Sequence, residues 1–75
     1  MKLRNFLNTC ENIDILYIYK IRPGVDTEIA FDPIDDTDLV FYQDALDMRD
    51  IPAEYLDEEV QLWSITSIFG INVYI

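Results

Sequence analysis

The residues of this chain that can do chemistry are its carboxylates. Asp32, Asp35, Asp38, Asp44, Asp47 and Asp50 recur at multiples of three residues, and Glu54 and Asp57 follow. In helical or turn-like stretches, such spacing sets neighbouring carboxylates about 5–6 Å apart at their Cβ atoms. Successive phosphates on one nucleic-acid strand are comparably spaced, a few ångströms of rise plus a lateral offset. A rigid array of this kind can enter a groove built for a phosphate backbone and meet the same Lys and Arg side chains. Holding repelling carboxylates on one folded body lowers stability.

Other chemistries fare less well. Residues 32–38 invite a calcium reading, but an EF-hand loop needs oxygen ligands at positions 1, 3 and 5 and glycine at 6. Starting at Asp32 puts Ile34 at position 3, and starting at Asp36 puts Val40 at position 5. Irregular divalent binding at 32–38 stays open as an alternative. The pairs Asp35/Asp36 and Asp57/Glu58 resemble acid–base pairs, yet that work requires a cleft. Histidine is absent, which removes the commonest general base and metal ligand together. Ser64 and Ser67 therefore have no imidazole to activate them, and Cys10 lies on an apolar stripe where an inert thiol is expected. The expectation is a protein that is not an enzyme and carries no cofactor.

The charge is unevenly distributed. Fifteen Asp and Glu against five Lys and Arg give a formal net charge of −10 over 75 residues. Residues 1–22 are slightly basic, through Lys2, Arg4, Lys20 and Arg22 against Glu11 and Asp14. Residues 23–59 hold thirteen acids against Arg49 alone, and residues 60–75 hold no charge. Direct nucleic-acid binding and an anionic membrane surface are both excluded by this balance. Tyr42, Tyr55, Trp63 and Tyr74 exceed what a small core buries, and Tyr42 and Tyr55 stand beside the acids as potential anchors. A single cysteine forbids an intrachain disulfide and suits a reducing cytoplasm. The polar residues 8–12 interrupt any apolar leader, and the run 60–75 is too short and too polar for a membrane span. A soluble, cytoplasmic chain is expected.

These side chains need elements to position them. Leu3, Phe6, Leu7 and Cys10 follow the i, i+3, i+4, i+7 rule of a short amphipathic helix. Residues 13–20 read as a central strand, with Ile13, Ile15, Tyr17 and Tyr19 on one face and Leu16 and Ile18 on the other. Arg22-Pro23-Gly24 signals a turn. Residues 28–31 and 39–42 read as strands. Asp50-Ile51-Pro52 opens a short helix near 52–58. Residues 60–65 read as a strand, bulged or buried on both faces, and Gly70 marks a hairpin into the alternating 69–75 segment. The fold class expected is α+β. It is a single domain, 1–75, with a twisted and mainly antiparallel sheet of four or five strands and the N-terminal helix on one face.

The run Asp50-Ile51-Pro52-Ala53-Glu54-Tyr55-Leu56-Asp57-Glu58-Glu59-Val60, within 44–60, is similar to a D-x-P-x-x-Y/L-L-D-x-E-V-like segment of short accessory proteins encoded by phages and prophages of Firmicutes. The opening Met1-Lys2-Leu3-Arg4-Asn5-Phe6-Leu7 resembles them as well. Size and acidity also resemble anti-CRISPR proteins that mimic DNA to block an effector nuclease. No shared motif unites that group, so no residue role carries over. The resemblance implies an inhibitor acting in a host cell's cytoplasm on a basic nucleic-acid-binding protein such as a CRISPR effector complex. On the charge argument the partner-binding residues are Asp35, Asp36, Asp38, Tyr42, Asp44, Asp47, Asp50, Glu54, Tyr55, Asp57 and Glu58. The competing reading is a homo-oligomeric accessory module, associated through 60–75, with a merely solvated acidic face.

Overall fold

A computed structural model describes the chain except for Glu11, Ala30 and Ile68. Its elements run helix α1 (Leu3–Thr9), strand β1 (Ile15–Ile21), strand β2 (Thr37–Asp44), a 3-10 turn (Met48–Asp50), helix α2 (Ala53–Leu56), strand β3 (Leu62–Ser67) and strand β4 (Gly70–Tyr74). The architecture is α+β. Four strands form one sheet in the order β2-β1-β4-β3, with β1 antiparallel to β2, β4 antiparallel to β3, and β1 parallel to β4.

Paired residues on neighbouring strands share a face. Leu16 pairs with Ile71 and Ile18 with Val73, and these four are at most 2% exposed. They make the buried face, against which Leu3 and Leu7 of α1, Leu56 of α2 and Ile51 pack. Complete burial of an aliphatic side chain contributes roughly 1.5–3 kcal/mol. A seven-residue helix has no independent stability, so α1 forms because its stripe is buried here. The segment after α2 is laced to the chain start: the Leu3 amide donates to Glu58 O at 2.9 Å and the Val60 amide to Met1 O at 2.9 Å.

The opposite face has no helix. It carries Tyr17 over Tyr42, with ring centroids 4.9 Å apart, and Tyr19 stacked on Tyr74 at 5.1 Å. This stacking buries Tyr74, which the alternation of 69–75 puts on the solvent side.

Two expectations are corrected. Glu28 and Ile29 lie in a turn rather than in a strand over 28–31, of which Ala30 lies outside the described residues. Pro33, Asp26 and Asp32 favour turns, and each of these aspartates accepts a backbone amide two residues on. The strand read as central, β1, is central, with Leu16 and Ile18 toward the core and Tyr17 and Tyr19 on the other face against Tyr42 and Tyr74. Of the two readings of 60–65, bulged or buried on both faces, the second fails: β3 is an edge strand whose residues are all exposed, and it carries a register shift between Ile65 and Ser67.

Candidate acidic interaction surface

Most candidate carboxylates are placed by a turn or a strand end, and Glu54 and Asp57 by α2. The loop 22–36 joins β1 to β2, and its Asp32 side chain accepts the Ile34 amide at 2.9 Å. Asp36 accepts the Asp32 amide at 2.7 Å. At the other end of the sheet, Asp44 closes β2 opposite Ile15 and accepts the amide of Ala45, which has a φ of 57°. Gln43 links the next two acids: its Nε2 donates to Asp50 at 2.7 Å, and its Oε1 accepts the Asp47 amide at 3.0 Å. Such bonds fix the carboxylates' directions and leave lone pairs facing solvent.

Four of the expected partner-binding acids are matched by cations within the chain. Arg22 grips Asp38 through two nitrogens, at 3.2 and 2.9 Å, and also donates to the Asp35 carbonyl. Arg49 grips Asp47 in the same forked manner, at 3.1 and 2.7 Å. Arg4 meets Asp57 at 2.8 Å, and Lys20 meets Glu58 at 3.1 Å. The Met1 amine holds Glu59 at 2.7 Å. The guanidinium bonds lower the Asp38 and Asp57 carboxyls below their ordinary value, and the Met1 amine does the same for Glu59. Asp47 is lowered to about 2, first by the Arg49 side chain and then by the Arg49 amide. All five pairs are solvent-exposed and add little stability. Their consequence is electrostatic, since these acids are locally neutralised.

The other described acids are outside any ion pair among the described residues: Asp35, Asp36, Asp44, Asp50 and Glu54 of the expected set, with Asp14, Asp26, Glu28 and Asp32. The last three lie in the acidic block already legible in sequence. Asp14 is added by the fold, through its carbonyl, which accepts the Leu46 amide at 2.7 Å.

The triplet recurrence does not survive as one row. Residues 37–44 are a strand, with a rise of about 3.3 Å per residue, so Asp38 and Asp44 are roughly 20 Å apart rather than neighbours. A register shift between Ile18 and Tyr19 inserts Val40 as an extra residue, so Asp38 pairs with Lys20 and Asp44 with Ile15, on opposite faces. Eight of the nine unpaired acids gather at the two ends of the β1–β2 ladder, and the ninth, Glu54, stands on α2. One group is Asp26, Glu28, Asp32, Asp35 and Asp36 at the Ile21 end, and the other is Asp14, Asp44 and Asp50 at the Ile15 end. The two tyrosines are separated as well. Tyr42 is 51% exposed on the helix-free face, whereas Tyr55 is half-buried on α2 against the core.

No group of three or more acids or cysteines among the described residues is placed to hold a metal ion, and no pocket is formed there. Asp32 and Asp36 are turned toward backbone amides instead. Burial raises the Cys10 thiol above its ordinary value, opposite to what a nucleophile needs. No helix among the described residues is long and apolar enough to cross a membrane. No protein-family model, curated protein or solved structure matches the chain.

Proposed function

We propose that this chain is a non-enzymatic interaction protein that occupies a basic, nucleic-acid-binding groove on a host protein, its carboxylates standing in for phosphates. The observation that carries this is the division of its acids. Arg4, Lys20, Arg22, Arg49 and the Met1 amine are engaged by Asp57, Glu58, Asp38, Asp47 and Glu59, and nine further described carboxylates stand outside any ion pair among the described residues. They are held by turns on a sheet rather than on a mobile tail, so little ordering entropy is lost when cations meet them. The two acidic groups lie at opposite ends of the β1–β2 ladder, a separation that spans several phosphates of one strand. Tyr42 and Leu39, each 51% exposed, lie between them as apolar contacts. A CRISPR effector–guide complex, the partner class that the likeness to phage accessory and anti-CRISPR proteins implies, is the first target to test.

The test is a binding titration against such a complex with duplex DNA as competitor and with salt varied. Binding that DNA displaces and that weakens steeply with salt agrees with phosphate mimicry. Binding that ignores both contradicts it. The pairing adds a sharper expectation. Asp44→Asn with Asp50→Asn, or Asp35→Asn with Asp36→Asn, weakens binding by about tenfold or more, whereas Asp47→Asn with Asp57→Asn, already matched by Arg49 and Arg4, has a much smaller effect. Equal losses from all three would show that total charge, not geometry, is read.

A further inference from the structure

The two edges of the sheet differ in how they meet solvent. An exposed strand edge presents unpaired N–H and C=O groups, and proteins blunt such edges with charge, bulges or a cover. Strand β2 has the first two, Asp38 and Asp44 on the strand and a register shift in its middle. Strand β3 has no charge, all its residues are exposed, and its register shift lies beyond Ile65, so residues 62–65 are regular. Leu62 is 42% exposed, Trp63 50%, and Ile65 69%. The adjoining β4 and α1 carry no acid, and Asp57, Glu58 and Glu59, which precede β3, are each held in an ion pair by Arg4, Lys20 and the Met1 amine. Strand β4 is uncharged, and α1, whose Phe6 ring lies 5.7 Å from that of Trp63, carries Arg4 as its one charge.

We infer that β3 is the interface of a twofold homodimer, pairing antiparallel with β3 of a second copy to make one continuous eight-stranded sheet. Charge decides the occupant. Two bodies of net charge −10 repel unless they approach where neither carries acid, and the edge bounded by β3, β4 and α1 meets that condition on both copies at once. An isologous contact needs a self-complementary patch, and an uncharged antiparallel edge supplies one. A register centred on Ser64 sets Trp63 of one protomer opposite Ile65 of the partner subunit on the helix-bearing face. The half-exposed side chains and the strand edge together bury on the order of 1,000 Å² in total, the weak end of specific interfaces. The dimer is therefore a reversible equilibrium, expected in the micromolar range. It goes beyond the proposed acidic interaction and is read in a different assay, so either can fail alone.

Sedimentation equilibrium from roughly 1 to 500 µM tests it, in buffer near physiological salt. The expected result is a reversible rise from one chain mass to two and no further. Ile65→Lys and Leu62→Lys each place a charge on an exposed edge position. Each is expected to raise the dissociation constant at least about tenfold, with far-ultraviolet circular dichroism unchanged. A single chain mass at every concentration overturns the proposal. So does assembly beyond two copies, or association by both folded lysine variants as strong as the parent's.

Discussion

Asp47 serves two partners at once: it receives the Arg49 amide at 3.0 Å, capping the 3-10 turn, and it is gripped by the Arg49 guanidinium. Because its carboxyl lies at about 2 rather than 3.8, the folded chain binds that proton less readily than the unfolded one. The resulting stabilisation is complete above the ordinary carboxylate range and is lost as pH falls from near 4 to about 2. Asp38, Asp57 and Glu59, lowered by their own cations, act in the same direction. Urea midpoints measured between pH 5 and pH 2 should therefore fall, and fall less steeply in Asp47→Asn; parallel curves would contradict the pairing. The acids themselves were evident in the amino-acid sequence. The Asp47–Arg49 pair is local, two residues apart, but the others were not legible, because Arg22 reaches Asp38 across a strand ladder and Arg4 reaches Asp57 across the helical layer. Both contacts join residues far apart in the chain.

Elements this short exist only through packing, and their weak points can be tested singly. Leu3 is fully buried under a seven-residue helix, so Leu3→Ala should cost about 2–5 kcal/mol in chemical denaturation. That approaches the whole stability of a small domain. Ala45, at φ 57°, is held in the left-handed region just after β2. Ala45→Gly should relieve that strain and raise stability by roughly 0.5–1 kcal/mol, unless the turn changes conformation. The stripe of α1, the alternation in β4 and the Pro-initiated α2 were all legible, since each is a local pattern of apolar residues or breakers. The segment 28–31 misled, for its β-favouring residues belong to a turn set by aspartate side chains on either side. Equally, nothing local announces that β1 and β4 run parallel; that depends on where the chain crosses after β2.

For the molecule as a whole, the excess of unpaired carboxylates opposes the compact state. Raising sodium chloride from about 0.02 to 0.3 M should therefore lift the melting temperature by several degrees, through screening rather than through any bound ion. A melting temperature that is flat or falling with salt would mean the surviving ion pairs outweigh the repulsion. The sequence by itself determined the charge excess, its confinement to residues 23–59, the uncharged final segment and the α+β class, because composition and periodicity are local properties of the chain. Only the tertiary structure decided which acids are neutralised, that the near-triplet row divides between two ends of the ladder, and that the uncharged strand β3 becomes an open edge. Strand order, register and a single inserted residue govern those outcomes. Apart from the local Asp47–Arg49 pair, they arise from contacts between residues distant in sequence, where the burial of Leu16, Ile18, Ile71 and Val73 outweighs local preference.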